Sequence, residues 1–183
     1  MPVAIGALET SSIAQGTVAA DAMVKTAEVE LIEACPISPG KYWVLIGGEV
    51  GPVRHAFRRG VEVAGDTLLD QLLIPQLHHQ VLPALRGVVT PGEHDALGVI
   101  ETLTAAAAIV AADRAAKAAD VQLRDLRLAN GLGGKGVLFL SGDVSNVQAA
   151  VEAGRAEAHS RGLLARAVVI PRLHPLLRSR VGG

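Results

Sequence analysis

Ile5-Gly6-Ala7-Leu8-Glu9-Thr10 returns 92 residues later as Leu97-Gly98-Val99-Ile100-Glu101-Thr102. At the same offset, Ala19-Ala20-Asp21-Ala22-Met23-Val24-Lys25-Thr26-Ala27 returns as Ala111-Ala112-Asp113-Arg114-Ala115-Ala116-Lys117-Ala118-Ala119. Further on, Gly40-Lys41 matches Gly134-Lys135, and Gly48-Glu49-Val50 matches Gly142-Asp143-Val144. Ile74-Pro75-Gln76-Leu77-His78 matches Ile170-Pro171-Arg172-Leu173-His174. Chance does not keep five such pairs in order. The chain is a tandem duplication, and so long a period predicts two small domains rather than the short units of a solenoid.

Within the first repeat, Val3 to Leu8 is apolar and partly β-branched, which predicts a strand. Ala20, Met23, Val24 and Ala27 then recur at helical spacing, as do Ala112, Ala115, Ala116 and Ala119 in the second repeat. Val29 to Ile32 and Tyr42 to Ile46 read as strands separated by the turn signal Pro36-Ile37-Ser38-Pro39-Gly40. Gly51-Pro52 opens a second helix whose apolar face is Val53, Ala56, Phe57, Gly60, Val61 and Ala64. In the second repeat, Ser145-Asn146-Val147-Gln148 has the pattern of a capping box. Leu68 to Ile74 and Ala165 to Ile170 supply the closing strands. The order strand, helix, strand, strand, helix, strand is the split arrangement of ferredoxin-like folds, here twice in tandem and unpermuted. Pro75 to Leu85 adds a short helical tail, and Val88-Val89-Thr90-Pro91-Gly92-Glu93 is the natural linker. The expected domains are therefore residues 1–91 and 92–183, in an α/β (α+β) chain.

Half of the residues are hydrophobic but only 2% are aromatic, with alanine and glycine making up the difference. Small side chains suit close packing of helices and subunits. Each half alone buries a modest share of its surface, so packing against its twin and against other copies is expected. The net charge of −1 and the lack of basic patches interleaved with aromatics argue against nucleic acid. Arg161, Arg166, Arg172, Arg178 and Arg180, with no acid beyond residue 160, read as a solvated or interfacial basic tail. A single cysteine, Cys35, excludes an internal disulfide and any multi-cysteine zinc site and fits a reducing compartment. No Lys or Arg precedes Lys25, unlike the charged start of a signal peptide, and the apolar run from Ala105 to Ala112 is too short to span a bilayer. The expectation is a cytoplasmic protein with no membrane partner.

Taken together, five features resemble the tandem-domain family of bacterial microcompartment shell proteins, of the propanediol-utilisation type. They are the opening Ile5-Gly6-x-Leu8-Glu9-Thr10, the helix Ala20-Asp21-Ala22-Met23-Val24-Lys25, the loop Ile37-Ser38-Pro39-Gly40, Gly48-Glu49-Val50-Gly51, and the Ile-Pro-x-x-His that closes both repeats. The resemblance covers almost the whole chain. It implies a homotrimer whose six domains mimic a hexameric tile, tiles that pack edge to edge with other shell proteins in the microcompartment shell, and a central pore on the threefold axis. It also implies that Ile37, Ser38, Pro39 and Gly40, with Asn130, Gly131, Leu132, Gly133 and Gly134, line that pore, and that small metabolites pass there. Lys25, Lys117 and Arg172, with His78 and His174, are implied tile-edge contacts. Encapsulated enzymes are further implied partners.

The two repeats differ most at that loop. Pro36-Ile37-Ser38-Pro39-Gly40 in the first corresponds to Ala129-Asn130-Gly131-Leu132-Gly133-Gly134 in the second, two residues longer by the shift in offset from 92 to 94. Gly131-Leu132-Gly133-Gly134-Lys135-Gly136 matches a dinucleotide fingerprint letter for letter, but Val137 to Leu140 reads as a strand where the fingerprint needs a helix. Some tandem shell proteins hold an iron–sulfur cluster through three symmetry copies of a cysteine in the first loop. The matching residue here is Ser38, a poor cluster ligand, and Cys35 reads first as a small buried residue. His78-His79 lacks a third ligand close in sequence, so no metal is expected.

No Ser/His/Asp constellation or carboxylate pair recurs at a spacing that argues catalysis. The expected function is a structural shell protein without enzymatic activity or cofactor, forming trimeric pseudohexameric tiles with a central pore for metabolites or a larger cofactor. The alternative is a shell component that binds an iron–sulfur cluster or other redox cofactor at the pore, with Cys35 as ligand. A third reading, a ligand-sensing ferredoxin-like trimer, predicts saturable small-molecule binding and no sheet formation.

Overall fold

The computed structural model describes residues 2–88 and 96–178. The first repeat runs β1 (Ala4–Thr10), α1 (Ile13–Thr26), β2 (Glu30–Ile37), β3 (Lys41–Gly48), α2 (Val50–Ala64) and β4 (Leu68–Ile74). A short helix α3 (Val81–Leu85) follows. The second repeat runs β5 (Ala96–Thr102), α4 (Ala105–Ala118), β6 (Gln122–Leu128), β7 (Gly136–Gly142), α5 (Val144–Ser160) and β8 (Leu164–Ile170), with a helical turn α6 (Pro175–Arg178) after it. Each repeat is a four-stranded antiparallel sheet, ordered β2-β3-β1-β4 and β6-β7-β5-β8. The doubled split arrangement is the fold the repeat predicts. The boundary expected near residue 91 and the linker from Val89 lie outside the described residues, as does Arg180.

Both first helices start in the same way. Ser12 Oγ accepts from the Gln15 N–H at 3.2 Å, and Thr104 Oγ1 accepts from the Ala107 N–H at 3.2 Å. Just upstream, Thr10 and Thr102 each donate a hydroxyl to the carbonyl of that capping residue, at 3.0 and 2.9 Å. The cap satisfies an amide the helix cannot, a contribution of about 1 kcal/mol. Strand β1 presents Leu8 to one face, where α1 and α2 cover it with Met23, Val53 and Ala56 against Val44 and Ile46 of β3. Burying a side chain such as Met23 contributes about 2 kcal/mol. The opposite face of the same sheet, with Ile5, Ala7, Trp43, Leu45 and Leu72, is also buried.

Four local expectations are corrected. Strand β2 runs on through Pro36 to Ile37 instead of ending at Ile32; as an edge strand it tolerates a residue with no N–H to donate. Val24, expected on the inner face of α1, is exposed, and Gly16 and Ala19 are buried in that face with Ala20 and Met23. Helix α5 starts at Val144 behind Asp143, so Ser145 lies inside the first turn and caps nothing. The tail after β4 is helical only over Val81–Leu85.

In space the chain divides into two compact units, Met1–Leu77 with Ala129–Gly134, and His78–Leu128 with Lys135–Gly183. The loop of the second repeat is thus counted with the first unit, and the segment after β4 with the second. In the second unit α4 is buried along most of its length, from Ala105 through Ala116. Gly154 of α5 lets it approach: a Cβ there would lie 2.9 Å from the Ala111 carbonyl oxygen.

Candidate functional site: paired loops and recurring lysine pairs

The turn between β2 and β3 is closed by the Gly40 N–H donating to the Ile37 carbonyl at 3.0 Å, with Gly40 at φ 88°. The six-residue loop Ala129–Gly134 closes on itself through the Leu132 and Gly134 amides, both donating to the Ala129 carbonyl at 3.0 and 3.2 Å. Within the first unit these two loops lie side by side. The Ser38 N–H donates to Asn130 Oδ1 at 3.1 Å, and Gly134 is so close that an added Cβ would meet Pro39 Cδ at 2.8 Å and the Ser38 carbonyl oxygen at 3.1 Å. Pro39, Gly40, Asn130, Gly131 and Gly133 are exposed, and Ser38 and Leu132 half-buried. Ile37 and Gly134 are buried and support the loops from beneath.

Equivalent ion pairs stand behind the loops. Lys41 Nζ lies 2.7 Å from Glu9 Oε1, whose side chain is fully buried, and Lys135 Nζ lies 2.9 Å from Glu101 Oε1. Trp43 Nε1 donates to Glu33 Oε2 at 2.9 Å. Burial, and then the Glu33 carboxylate, push the Cys35 thiol above its ordinary range. Serine, a poor cluster ligand beside thiolate, occupies the turn itself, so the residues of the turn do not fit an iron–sulfur cluster. Among the described residues no three His, Cys, Asp or Glu side chains are grouped to hold a metal ion.

The implied edge residues fall in two environments. Lys25 Nζ lies 2.6 Å from Asp21 Oδ2 and Lys117 Nζ 2.6 Å from Asp113 Oδ2, each one helical turn apart. Asp21 is 57% exposed but Asp113 only 5%, because the His78 backbone N–H donates to Asp113 Oδ1 at 2.8 Å and covers it. His78 is half-buried; desolvation, then His79 and Lys117, hold its imidazole below the ordinary range against the pull of Asp113. Arg172 and His174 are exposed. Neither the covering of Asp113 nor the Ser38–Asn130 bond is visible in the sequence.

The family model described as "BMC domain" matches residues 4–77 and again 96–173. The chain belongs to the tandem-domain family of bacterial microcompartment shell proteins. It is 45% identical over 174 residues to the bacterial microcompartment shell protein PduT of Citrobacter freundii, covering 95% of each chain. The crystal structure of a microcompartments protein from Desulfitobacterium hafniense DCB superposes with a TM-score of 0.86 at 45% identity, over 96% of this chain and 98% of that one. A fused permuted hexameric shell protein, MSM0275 from the RMM microcompartment, superposes with a TM-score of 0.62 at 26% identity, over 85% and 81%. The shell protein described here has both BMC domains in the unpermuted order, each opening on β1 or β5. Among the described residues no helix is long and apolar enough to cross a membrane.

Proposed function

We propose that this shell protein is a structural tile without enzymatic activity, three copies of which close into a ring of six BMC domains inside the cytoplasmic microcompartment shell. The two domains are residues 1–91 and 92–183. Around the central opening stand Ser38, Pro39 and Gly40 of the first loop and Asn130 to Gly133 of the second, with Ile37 and Gly134 beneath them. The observation that carries the reading is the Ser38–Asn130 hydrogen bond: loops from both repeats meet as neighbours, as successive wedges around one axis must. Polar hydroxyls, amides and exposed backbone at such a constriction favour neutral or anionic metabolites over apolar gases. A second, longer and glycine-rich loop type makes the opening less uniform than a sixfold one and suits a larger cofactor in transit.

Lys25, Lys117 and Arg172, with His78 and His174, form the rim where tiles meet one another and other shell proteins. Long lysine stems pack across such a boundary while their charged heads find carbonyl oxygens, a small gain repeated around each tile. Sedimentation and imaging test the reading together. Three chains of 18.9 kDa give one species of about 57 kDa, and purified protein forms flat, hexagonally packed layers. A monomer that persists at micromolar concentration refutes it.

A further inference from the structure

The segment that follows each closing strand makes the same local turn. After β4, the Gln80 N–H donates to His78 Nδ1 at 3.4 Å and the Val81 N–H to the His78 carbonyl at 3.1 Å. After β8, the Leu176 N–H donates to His174 Nδ1 at 3.3 Å and the Leu177 N–H to the His174 carbonyl at 2.9 Å. Their surroundings differ. The first copy is seated in the second unit: the His78 N–H is bound by Asp113 of α4, the Gln80 amide bridges the Val121 carbonyl and the Leu123 N–H at the edge of β6, and Val81 and Leu82 are buried. No such hydrogen bonds hold the second copy among the described residues, and Leu176 and Leu177 are 79% and 44% exposed.

The first unit carries a matching face that no described residue hydrogen-bonds in this way. Asp21 stands where Asp113 stands, its Oδ2 already held by Lys25 at the same 2.6 Å, and its Oδ1 takes no hydrogen bond among the described residues. Beside it, Val24 of α1 and Leu31 of the edge strand β2 are exposed, Leu31 being the repeat equivalent of Leu123. The duplicated chain supplies four parts: a seated tail, its seat, a second seat that matches, and a second tail. The fourth, the tail after β8, has one place to go if the repeat operation continues.

We infer that the segment His174–Leu177 of one chain docks on the Asp21 face of the first unit in a second copy of this chain. The inference rests on the ring assembly proposed above and specifies its chain-to-chain contact. The His174 N–H donates to Asp21 Oδ1, and Leu177 takes the buried place of Val81. Leu176 replaces the Gln80 amide, so an apolar contact with Val24 and Leu31 substitutes for the bridge to the strand edge. Docking also brings His174 and the neighbouring Arg172 of one chain beside Lys25 of the next, so every Lys25 corner of the rim is built from two chains.

Cross-linking tests it. Asp21→Cys and His174→Cys, together in a Cys35→Ser background, are treated with a short bismaleimide and resolved on a denaturing gel. Covalent dimers and trimers are expected from the double variant and none from either single variant. If sedimentation shows the intact ring but no chain-to-chain link forms, the docking is wrong and the ring stands; if no ring forms even in the wild-type chain, both fall. The full-length Leu177→Asp variant gives a second measurement. It should raise the concentration at which the ring half-dissociates by about tenfold or more, since a charge would enter an apolar seat. An unchanged midpoint overturns the docking.

Discussion

Gly154 and Gly51 both sit in long helices of a BMC domain, and the same change to alanine should move stability in opposite directions. Alanine has the better helix propensity, a gain of up to about 1 kcal/mol in a helix interior. At Gly51, in the first turn of α2, a new Cβ meets nothing within 4 Å, so Gly51→Ala should stabilise by about 0.5 kcal/mol. At Gly154 the new Cβ would lie 2.6 Å from Ile100 Cδ1, 2.9 Å from the Ala111 carbonyl oxygen and 3.5 Å from Ala115 Cβ. The Ile100 methyl can turn aside, but the carbonyl belongs to the backbone of α4, so α5 must lift away from a helix whose alanines are nearly all buried. Overpacking of this kind costs about 1–3 kcal/mol, which exceeds the propensity gain, so Gly154→Ala should lose about 1–2 kcal/mol net. For a chain of this length that is a melting temperature lower by about 2–8 °C. Thermal unfolding of both variants beside the wild type, at one fixed protein concentration because assembly shifts the apparent melting point, reads the two signs. If Gly154→Ala melts at or above the wild-type temperature, the close approach of α4 and α5 does not limit stability and the packing argument is refuted.

Ser141 Oγ is buried on β7 with no hydrogen-bond partner among the described residues, so Ser141→Ala should raise stability by about 1 kcal/mol, and a lower melting temperature would show that the hydroxyl is satisfied in the assembled protein. Burial, His79 and Lys117 lower the proton affinity of the His78 imidazole in the folded chain, so the unfolded chain binds a proton more readily. Stability from this group is complete above the ordinary histidine range and falls as pH drops through about 6.5; His78→Gln should flatten that acid limb, and identical slopes in urea titrations at pH 7 and 5 would remove His78 as its source. Lys25 is 72% exposed and its pair with Asp21 contributes little to the fold, so Lys25→Ala should leave thermal stability within about 0.5 kcal/mol and the ring intact while abolishing layers in electron micrographs. Normal layers from that variant would take Lys25 off the rim.

The element order was legible because the chain states it twice, and a strand ambiguous in one repeat is decided by its twin. Closing strands β4 and β8 start within one residue of the expected positions, since each is a compact apolar run. What misled was local punctuation. Pro36 reads as a turn residue, yet it lies inside β2, because on a sheet edge its missing N–H costs no ladder bond. On α1, an apolar pattern makes Val24 an inner residue, whereas the helix is rotated to put Gly16 against Thr10 and Tyr42, where an added Cβ would fall within 2.6 Å of each. Glycine leaves no hydrophobic mark in a sequence, so a face built on it is misplaced by any reading that counts apolar side chains. The Ser12-x-x-Gln15 cap was available to the same rules that picked out Ser145, and it is the one that forms.

The candidate site was legible only as a difference between two loops. Why the difference matters depends on exchange: Ala129–Gly134 is counted with the first unit and His78–Leu85 with the second, so residues 92 apart in sequence, Ser38 and Asn130, become hydrogen-bonded neighbours. Exchange also explains how Asp21 and Asp113, identical in residue, helix position and lysine partner, differ elevenfold in exposure, 57% against 5%. The seat is encoded in both repeats, and among the described residues only the tail after β4 occupies one. The other seat and the other tail descend from the same pair, and the docking inferred above would cover Leu176 and Leu177, which are exposed in the chain alone. On that docking, a duplication that buries one tail and exposes the other would carry its own drive to assemble, the surface missing from one copy being the surface the next copy presents.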